Sequence, residues 1–272
     1  MPNTNTTTTE TYPIGVIGAG PTGLATAAHL IERGLTPLVF EAGSGIAANM
    51  REFGHVRLFS PWQQLIDPSA RRLLEMSGWD APNDDDIPFA KEIVERYLHP
   101  LATLDSIAPT IKLNHKVISI SRDGHDRLRD GDRDNAPFLI VAETPDGQRR
   151  FKVRSVVDAS GTWTTPNPIG AGGVPADGEV EHQEHIRYAM PDVLGADRDR
   201  YAGKRVLVIG SGHSAIGSVL SLVKLAKEYS NTSIAWAVRR QDPSYLWGGG
   251  NNDKLAQRGA LGTRWYGAAP RC

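Results

Sequence analysis

Apolar residues along this chain change their period several times, and each change marks an element. Ile14 to Ile17 is a short unbroken apolar run, the pattern of a buried strand. It enters Gly18-Ala19-Gly20-Pro21-Thr22-Gly23, after which Leu24, Ala27, Ala28 and Ile31 fall at helical spacing in a segment that runs to Arg33. Gly34 is placed to close that helix, and Thr36 to Phe40 is a second apolar strand ending at Glu41. Strand, glycine turn, helix and strand make one βαβ unit. The stretch from Ala42 to Pro88 is irregular and rich in Gly, Pro, Phe, Trp and Arg, with a short helix predicted at Pro68–Ser77. Ala90 to Leu104 predicts another helix, interrupted near Pro100 because proline has no N–H to donate.

Three β-segments follow: Ile111–Ile120, Phe138–Glu143 and Phe151–Val157. Ser121–Pro137, charged and containing two glycines, reads as an exposed loop, and Pro145-Asp146-Gly147 as a turn. Asp158–Pro168 and Gly170–Gly178 are glycine- and proline-rich crossovers. Lys204–Ile209 then forms a fresh strand entering Gly210-Ser211-Gly212-His213-Ser214-Ala215, with a helix through about Tyr229 and a strand at Ser233–Val238. The βαβ pattern therefore occurs twice, and the fold class is α/β.

Composition excludes more than it identifies. Lys+Arg total 30 against Asp+Glu 31, a formal net charge of −1, which gives no electrostatic case for nucleic acid or an anionic membrane. The single cysteine, Cys272, excludes disulfide scaffolds, cysteine zinc sites and dithiol chemistry within the chain, and no metal site is expected. No stretch approaches the roughly 18 apolar residues of a spanning helix. Residues 1–12 lack a basic start and an apolar core, so they read as a disordered leader of a cytoplasmic protein rather than a signal peptide. A homo-oligomer stays open.

The first glycine turn has the parts of a dinucleotide site. Gly18 permits the tight turn, Gly20 lets backbone approach a pyrophosphate, and Gly23 lets helix and strand pack closely. The helix start, with Ala19, Pro21 and Thr22 in the loop, offers N–H groups to phosphate. Glu41, at the end of the next strand, can accept hydrogen bonds from a ribose. A glycine turn with a surface glutamate is the plain alternative. In the second turn alanine fills the third glycine slot. There the following strand ends in Arg239 and Arg240 instead of a carboxylate, which favours a 2′-phosphate and hence NADPH; a solvated basic strand end is the alternative.

The order of these motifs, with Asp158-Ala159-Ser160-Gly161 between them, resembles the two-dinucleotide-binding-domain flavoproteins, over roughly Pro13 to Arg240. The layout is similar to class B flavin monooxygenases, the flavin-containing and Baeyer–Villiger groups. Their signature F-x-G-x-x-x-H-x-x-x-Y/F keeps Gly178 and His182 here, with Ala176 and Ile186 at the outer positions and Tyr188 two residues late. Taken alone, His182 reads equally as a packing histidine.

The resemblance implies a Rossmann-like FAD/NAD(P)-binding fold with a β-meander and an incomplete second βαβ unit. It divides the chain into an FAD domain at 13–170, a crossover at 171–203 and a partial NADPH domain at 204–272. FAD is then expected at Gly18–Gly23, Glu41, Arg51, Arg57, Trp62, Val117 and Gly161. NADPH is expected at Gly210, Ser211, Gly212, His213, Ser214, Arg239 and Arg240. Phe59 and Trp62 are candidate walls for the flavin ring, or simply anchors for their loop. The implied activity is hydride transfer from NADPH to FAD, then oxygen activation and oxygenation of a small molecule; no catalytic residue is assigned.

After Arg240 only 32 residues remain, too few for the returning FAD segment since one βαβ crossover alone takes about 30. The chain therefore reads as C-terminally truncated. An NADPH-dependent flavin reductase and a non-catalytic nucleotide-binding remnant are the alternatives.

Overall fold

The structure is a computed structural model, and it describes residues 12–126, 128, 131–239, 254, 255 and 258–260. Along the chain run β1 (Ile14–Ile17), α1 (Pro21–Glu32), β2 (Pro37–Phe40), α2 (Ala48–Glu52), α3 (Trp62–Leu65) and α4 (Pro68–Met76). Next come α5 (Ala90–Ile93), a π-helical turn (Val94–Leu98) and α6 (His99–Ala102). Seven strands and two helices follow: β3 (Ile111–Lys112), β4 (Lys116–Arg122), β5 (Phe138–Thr144), β6 (Gly147–Val153), β7 (Ser155–Asp158), α7 (Arg198–Tyr201), β8 (Arg205–Ile209), α8 (His213–Glu228) and β9 (Ser233–Ala237).

The chain divides into two compact units. One takes in the described residues to Glu52, Ile66–Asn83 and Glu92–Gly161; the other takes Phe53–Leu65, Asp84–Lys91 and the described residues from Thr162. The motifs alone suggest a linear division, but 53–65 and 84–91 hold to each other instead. The Leu58 N–H donates to the Pro88 carbonyl, the Trp62 N–H to Asp86 and the Ala90 N–H to Val56. Both segments belong to the unit that holds the described residues from Thr162.

In the first unit a parallel sheet of order β3-β2-β1-β7 carries a separate antiparallel meander, β4-β5-β6. β1 is buried along Ile14, Gly15 and Val16, as a parallel strand covered on both faces must be. A methyl group on Gly15 would lie 2.8 Å from Ile140 and within 3.3 Å of Val153, so glycine is what lets the meander close on the sheet. Phe40, Ile140 and Val153 form the buried contact there, with Leu38, Val117, Phe138, Phe151 and Val156 around it. Each such aliphatic side chain contributes on the order of 2 kcal/mol on burial.

Two predicted strands are each split between the sheets. Ile111–Ile120 breaks at Asn114, whose φ of 57° is left-handed, a conformation asparagine tolerates. Before it β3 joins the parallel sheet; after it β4 enters the meander. Phe151–Val157 changes sheets at Arg154, whose N–H donates to the Pro13 carbonyl. Pro100 yields a wound helix rather than a stop. The turn before it widens, with the His99 N–H reaching the Val94 carbonyl, and the Arg96 carbonyl that Pro100 cannot serve accepts the Trp79 indole N–H at 2.9 Å.

In the second unit β8 and β9 pair in parallel under α8, which buries Ile216, Val219, Leu222 and Leu225. Its inner face packs Val208 and Trp236 against Ile216 and Val219. The other face of this sheet is open: Leu207 is 59% exposed and Ile209 47%. Among the described residues no helix is long and apolar enough to cross a membrane, and no cluster of three potential metal ligands occurs.

Candidate functional site

The first glycine turn is built by β1, β2 and α1. Gly18 has φ of 94° and donates its N–H to the Phe40 carbonyl at 2.7 Å. A methyl group on Gly18 would fall 2.7 Å from the Ala159 carbonyl oxygen, so the Asp158–Gly161 crossover passes directly against the turn. Asp158 holds that crossover by accepting the Ser160 hydroxyl at 2.6 Å and the Ser160 N–H at 3.0 Å; these bonds, the hydroxyl first, keep its carboxyl below the usual range. Gly161 follows in a left-handed conformation and is exposed. A methyl group on Gly23 would stand 1.8 Å from the Gly18 carbonyl oxygen, whereas one on Gly20 would meet nothing within 4 Å. The turn is thus closed behind Gly23 and open over Gly20.

Pro21 opens α1 with its φ already fixed, and the N–H groups of Thr22 and Gly23 have no partner within the helix. Glu41 is buried and its carboxylate closes the turn. One oxygen accepts the Ala19 N–H at 2.8 Å and the other the Gly43 N–H at 2.8 Å. The Ala19 carbonyl accepts the Ala47 N–H, which ties in the loop leading to α2. Arg51 on α2 is exposed and donates to the Ile46 carbonyl at 3.2 Å. Val117 packs on the Phe40 cluster, two residues past His115, whose N–H donates to the Glu41 carbonyl. Gly18–Gly23, Glu41, Arg51, Val117 and Gly161 therefore lie in one unit.

Arg57 and Trp62 lie in the other unit. Arg57 is exposed and donates to the Ile87 carbonyl at 3.2 Å; Trp62 is 1% exposed, so its ring is already covered by protein. Phe59 stands edge-on to His213 at 5.4 Å, beside the second turn.

That second turn repeats the first. Gly210 has φ of 111° and donates to the Ala237 carbonyl at 3.0 Å, as Gly18 does to Phe40. Gly212 stands before α8 with φ −77° and ψ 169°, as Gly20 stands before α1 with φ −83° and ψ −170°. A methyl group on Gly212 would again meet nothing within 4 Å, and Ser211 and Ser214 complete the loop. In the strand registers Ile17 pairs with Phe40 and Ile209 with Ala237, so the residue matching Glu41 is Val238. This corrects the sequence spacing, which put two arginines at the carboxylate's place. Val238 packs on the Ile216 cluster, Arg239 is exposed one residue beyond, and Arg240 lies outside the described residues.

Two residues that the sequence did not single out are fixed here by contacts. The Trp236 indole N–H donates to the Gly210 carbonyl at 2.7 Å. Glu179, beside Gly178, is 4% exposed and accepts N–H bonds from Ile169 and Ala176 and the Tyr188 hydroxyl at 2.5 Å. Burial works to raise its carboxyl, but these donors win and hold it below the usual range, while the bond to Glu179 pushes Tyr188 up. The late Tyr188 is thus tied to the Gly178–His182 segment through Glu179. His182 itself donates its N–H to the Gly178 carbonyl.

Residues 16–73 match the family described as NAD(P)-binding Rossmann-like domain. Flavin-containing monooxygenase 1 of Mus musculus is 29% identical over 245 residues, covering 86% of this chain and 43% of that protein. Indole-3-pyruvate monooxygenase YUCCA6 of Arabidopsis thaliana is 29% identical over 220 residues, covering 79% and 46%. Homologues of the chain are flavin-containing monooxygenases. The chain spans less than half the length of these curated relatives. Among solved structures, the bacillithiol disulfide reductase Bdr of Bacillus cereus matches with a TM-score of 0.62 at 20% identity, over 94% of this chain and 66% of that one. DfoA bound to FAD, the cadaverine monooxygenase of Erwinia amylovora, matches with a TM-score of 0.60 at 16% identity, over 83% and 51%. These likenesses show the fold alone, a Rossmann-like α/β architecture.

Proposed function

We propose that the chain binds FAD at the first turn and NADPH at the second, and that it serves an oxidoreductase of the monooxygenase type, with a small molecule and oxygen as co-substrates. The observation that carries this reading is one dinucleotide turn built twice, in a chain whose relatives are named flavin-containing monooxygenases. The residues of the first turn fit the group: space over Gly20, a buried carboxylate at the strand end, and the Gly161 crossover alongside.

Thr22 and Gly23 would direct N–H groups at a pyrophosphate, helped by the positive end of α1. Glu41 keeps lone pairs for ribose hydroxyls while it braces Ala19 and Gly43, and Arg51 is placed on the same unit to meet a phosphate. Ser211 to Ser214 would hold the second pyrophosphate, and Arg239 with Arg240 the 2′-phosphate of NADPH. Hydride transfer and oxygen activation are the chemistry the bound cofactors supply; the chain's residues bind and orient them. The near-neutral charge and lone cysteine support a cytoplasmic setting.

Purified chain should be yellow and should consume NADPH and oxygen faster when an oxygenatable small molecule is added, with oxygenated product. NADPH oxidation that reduces a quinone or dye without oxygen insertion favours a flavin reductase. A colourless chain that never oxidises NADPH favours nucleotide binding without turnover.

A further inference from the structure

The two turns differ in their third glycine slot, and that difference has a mechanical consequence. In the first turn the Gly18 carbonyl points so closely at position 23 that a methyl group there would stand 1.8 Å away. Position 215 is its counterpart in the second turn, five residues past the first glycine, and it is alanine, which carries that methyl group. A carbonyl placed as in the first turn would collide with it. The second turn instead gives its first carbonyl a different partner: the Trp236 indole N–H donates to the Gly210 oxygen at 2.7 Å. The counterpart of Trp236 on β2 is Val39, which has no donor to offer.

We infer that Trp236 is a positioning residue for the second turn: its indole draws the Gly210 carbonyl aside, making room for the Ala215 methyl group and fixing the loop that receives the NADPH pyrophosphate. Trp236 suits the task because it is held from below. Its ring packs with Val208 and Val238 on Ile216 and Val219 of α8, so the N–H is aimed by the core and not by a mobile side chain. The same bond covers a carbonyl that the tight turn would otherwise leave short of a partner. Val238 has no acceptor for the Ser211 N–H, so the brace that Glu41 gives the first turn is missing from the second. Trp236 supplies a brace from the strand instead. Tryptophan at 236 and alanine at 215 are therefore coupled, and neither is needed in the first turn.

This inference rests on the second turn being an NADPH site, and the experiment separates the two. Trp236→Phe keeps the ring and removes the N–H. NADPH titration by calorimetry should show it weakening binding about tenfold in the Ala215 chain and less than twofold in an Ala215→Gly background, where the carbonyl is free to take the first turn's geometry. Melting temperatures of the same four proteins should show the same coupling, with the Trp236→Phe loss largely absent when residue 215 is glycine. Equal losses in both backgrounds, or no loss in either, overturn the positioning role. A wild-type chain that does not bind NADPH while the melting temperatures remain coupled overturns the NADPH reading and leaves Trp236 as a brace of the turn alone.

Discussion

Glu32 on α1 and Arg72 on α4 show how a single surface pair can report on packing. The guanidinium meets the carboxylate with two bonds of 2.7 and 2.9 Å, and this hydrogen bonding, aided by Ser69, lowers Glu32 from 4.5 to about 2. A carboxyl held low in the folded state stabilises above its ordinary value and loses that contribution as pH falls through the folded one. The melting-temperature difference between wild type and Arg72→Gln should therefore be constant from neutral pH down to about 5 and shrink toward zero near pH 2; a difference unchanged at pH 2 would contradict the pairing. At the other end of the chain, Arg239→Ala with Arg240→Ala should cost the preference for NADPH over NADH, by about tenfold, since each guanidinium can pair with the 2′-phosphate. An unaltered ratio would remove both arginines from the site. Glu41 was legible because a strand end after a glycine turn is a fixed place. Trp236 was not, because its bond to Gly210 spans 26 positions and depends on the register of β9.

At the scale of the element, the two glycines of the first turn separate folding from binding. Gly23→Ala puts a methyl group against backbone, which cannot swing away, so it should lower the melting temperature by about 5 °C and also reduce FAD binding. Gly20→Ala adds a methyl group in open space at φ −83°, so the melting temperature should stay within about 2 °C while FAD binding falls because the pyrophosphate must approach that point. Calorimetry and flavin absorbance on the two proteins check both halves; a Gly20→Ala chain that binds FAD normally would displace the phosphate from this turn. The strands β1, β2, β8 and β9 were legible within a residue or two, since each is a short apolar run beside glycine. The segments that became β3 with β4, and β6 with β7, read as continuous, because period-two patterning does not register a left-handed residue such as Asn114 or a change of sheet at Arg154.

For the whole molecule, the instructive contrast is between two βαβ units with opposite fates on their outer faces. Gly15, Leu38 and Phe40 lie under the meander, where Ile140 and Val153 cover them. Their counterparts on β8 and β9, Leu207, Ala235 and Ala237, are exposed together with Ile209. An open apolar sheet face favours self-association. Replacing Leu207 and Ile209 by threonine should lower light scattering at high protein concentration and leave the melting temperature within about 2 °C. Val208→Thr, whose side chain packs on Ile216 and Val219, should instead lower it by about 3–6 °C. If the outer pair proved as costly as Val208, that face would be covered in solution.

Read as a linear pattern, the chain already shows the α/β class, both glycine turns, their helices and strands, the meander, and the resemblance to flavin monooxygenases. These follow from local spacing: a turn needing left-handed backbone, a helix needing 3.6-residue periodicity and a strand needing an apolar run all leave marks on neighbouring residues. Folding, through the strand register, settled that Val238, and not an arginine, stands where Glu41 stands in the first turn. It also decided that 53–65 groups with the second unit, and that Trp236 and Ala215 are linked through the Gly210 carbonyl. Such matters depend on register and on which atoms meet across long stretches of chain, and a one-residue shift in register changes every partner while leaving the local pattern the same.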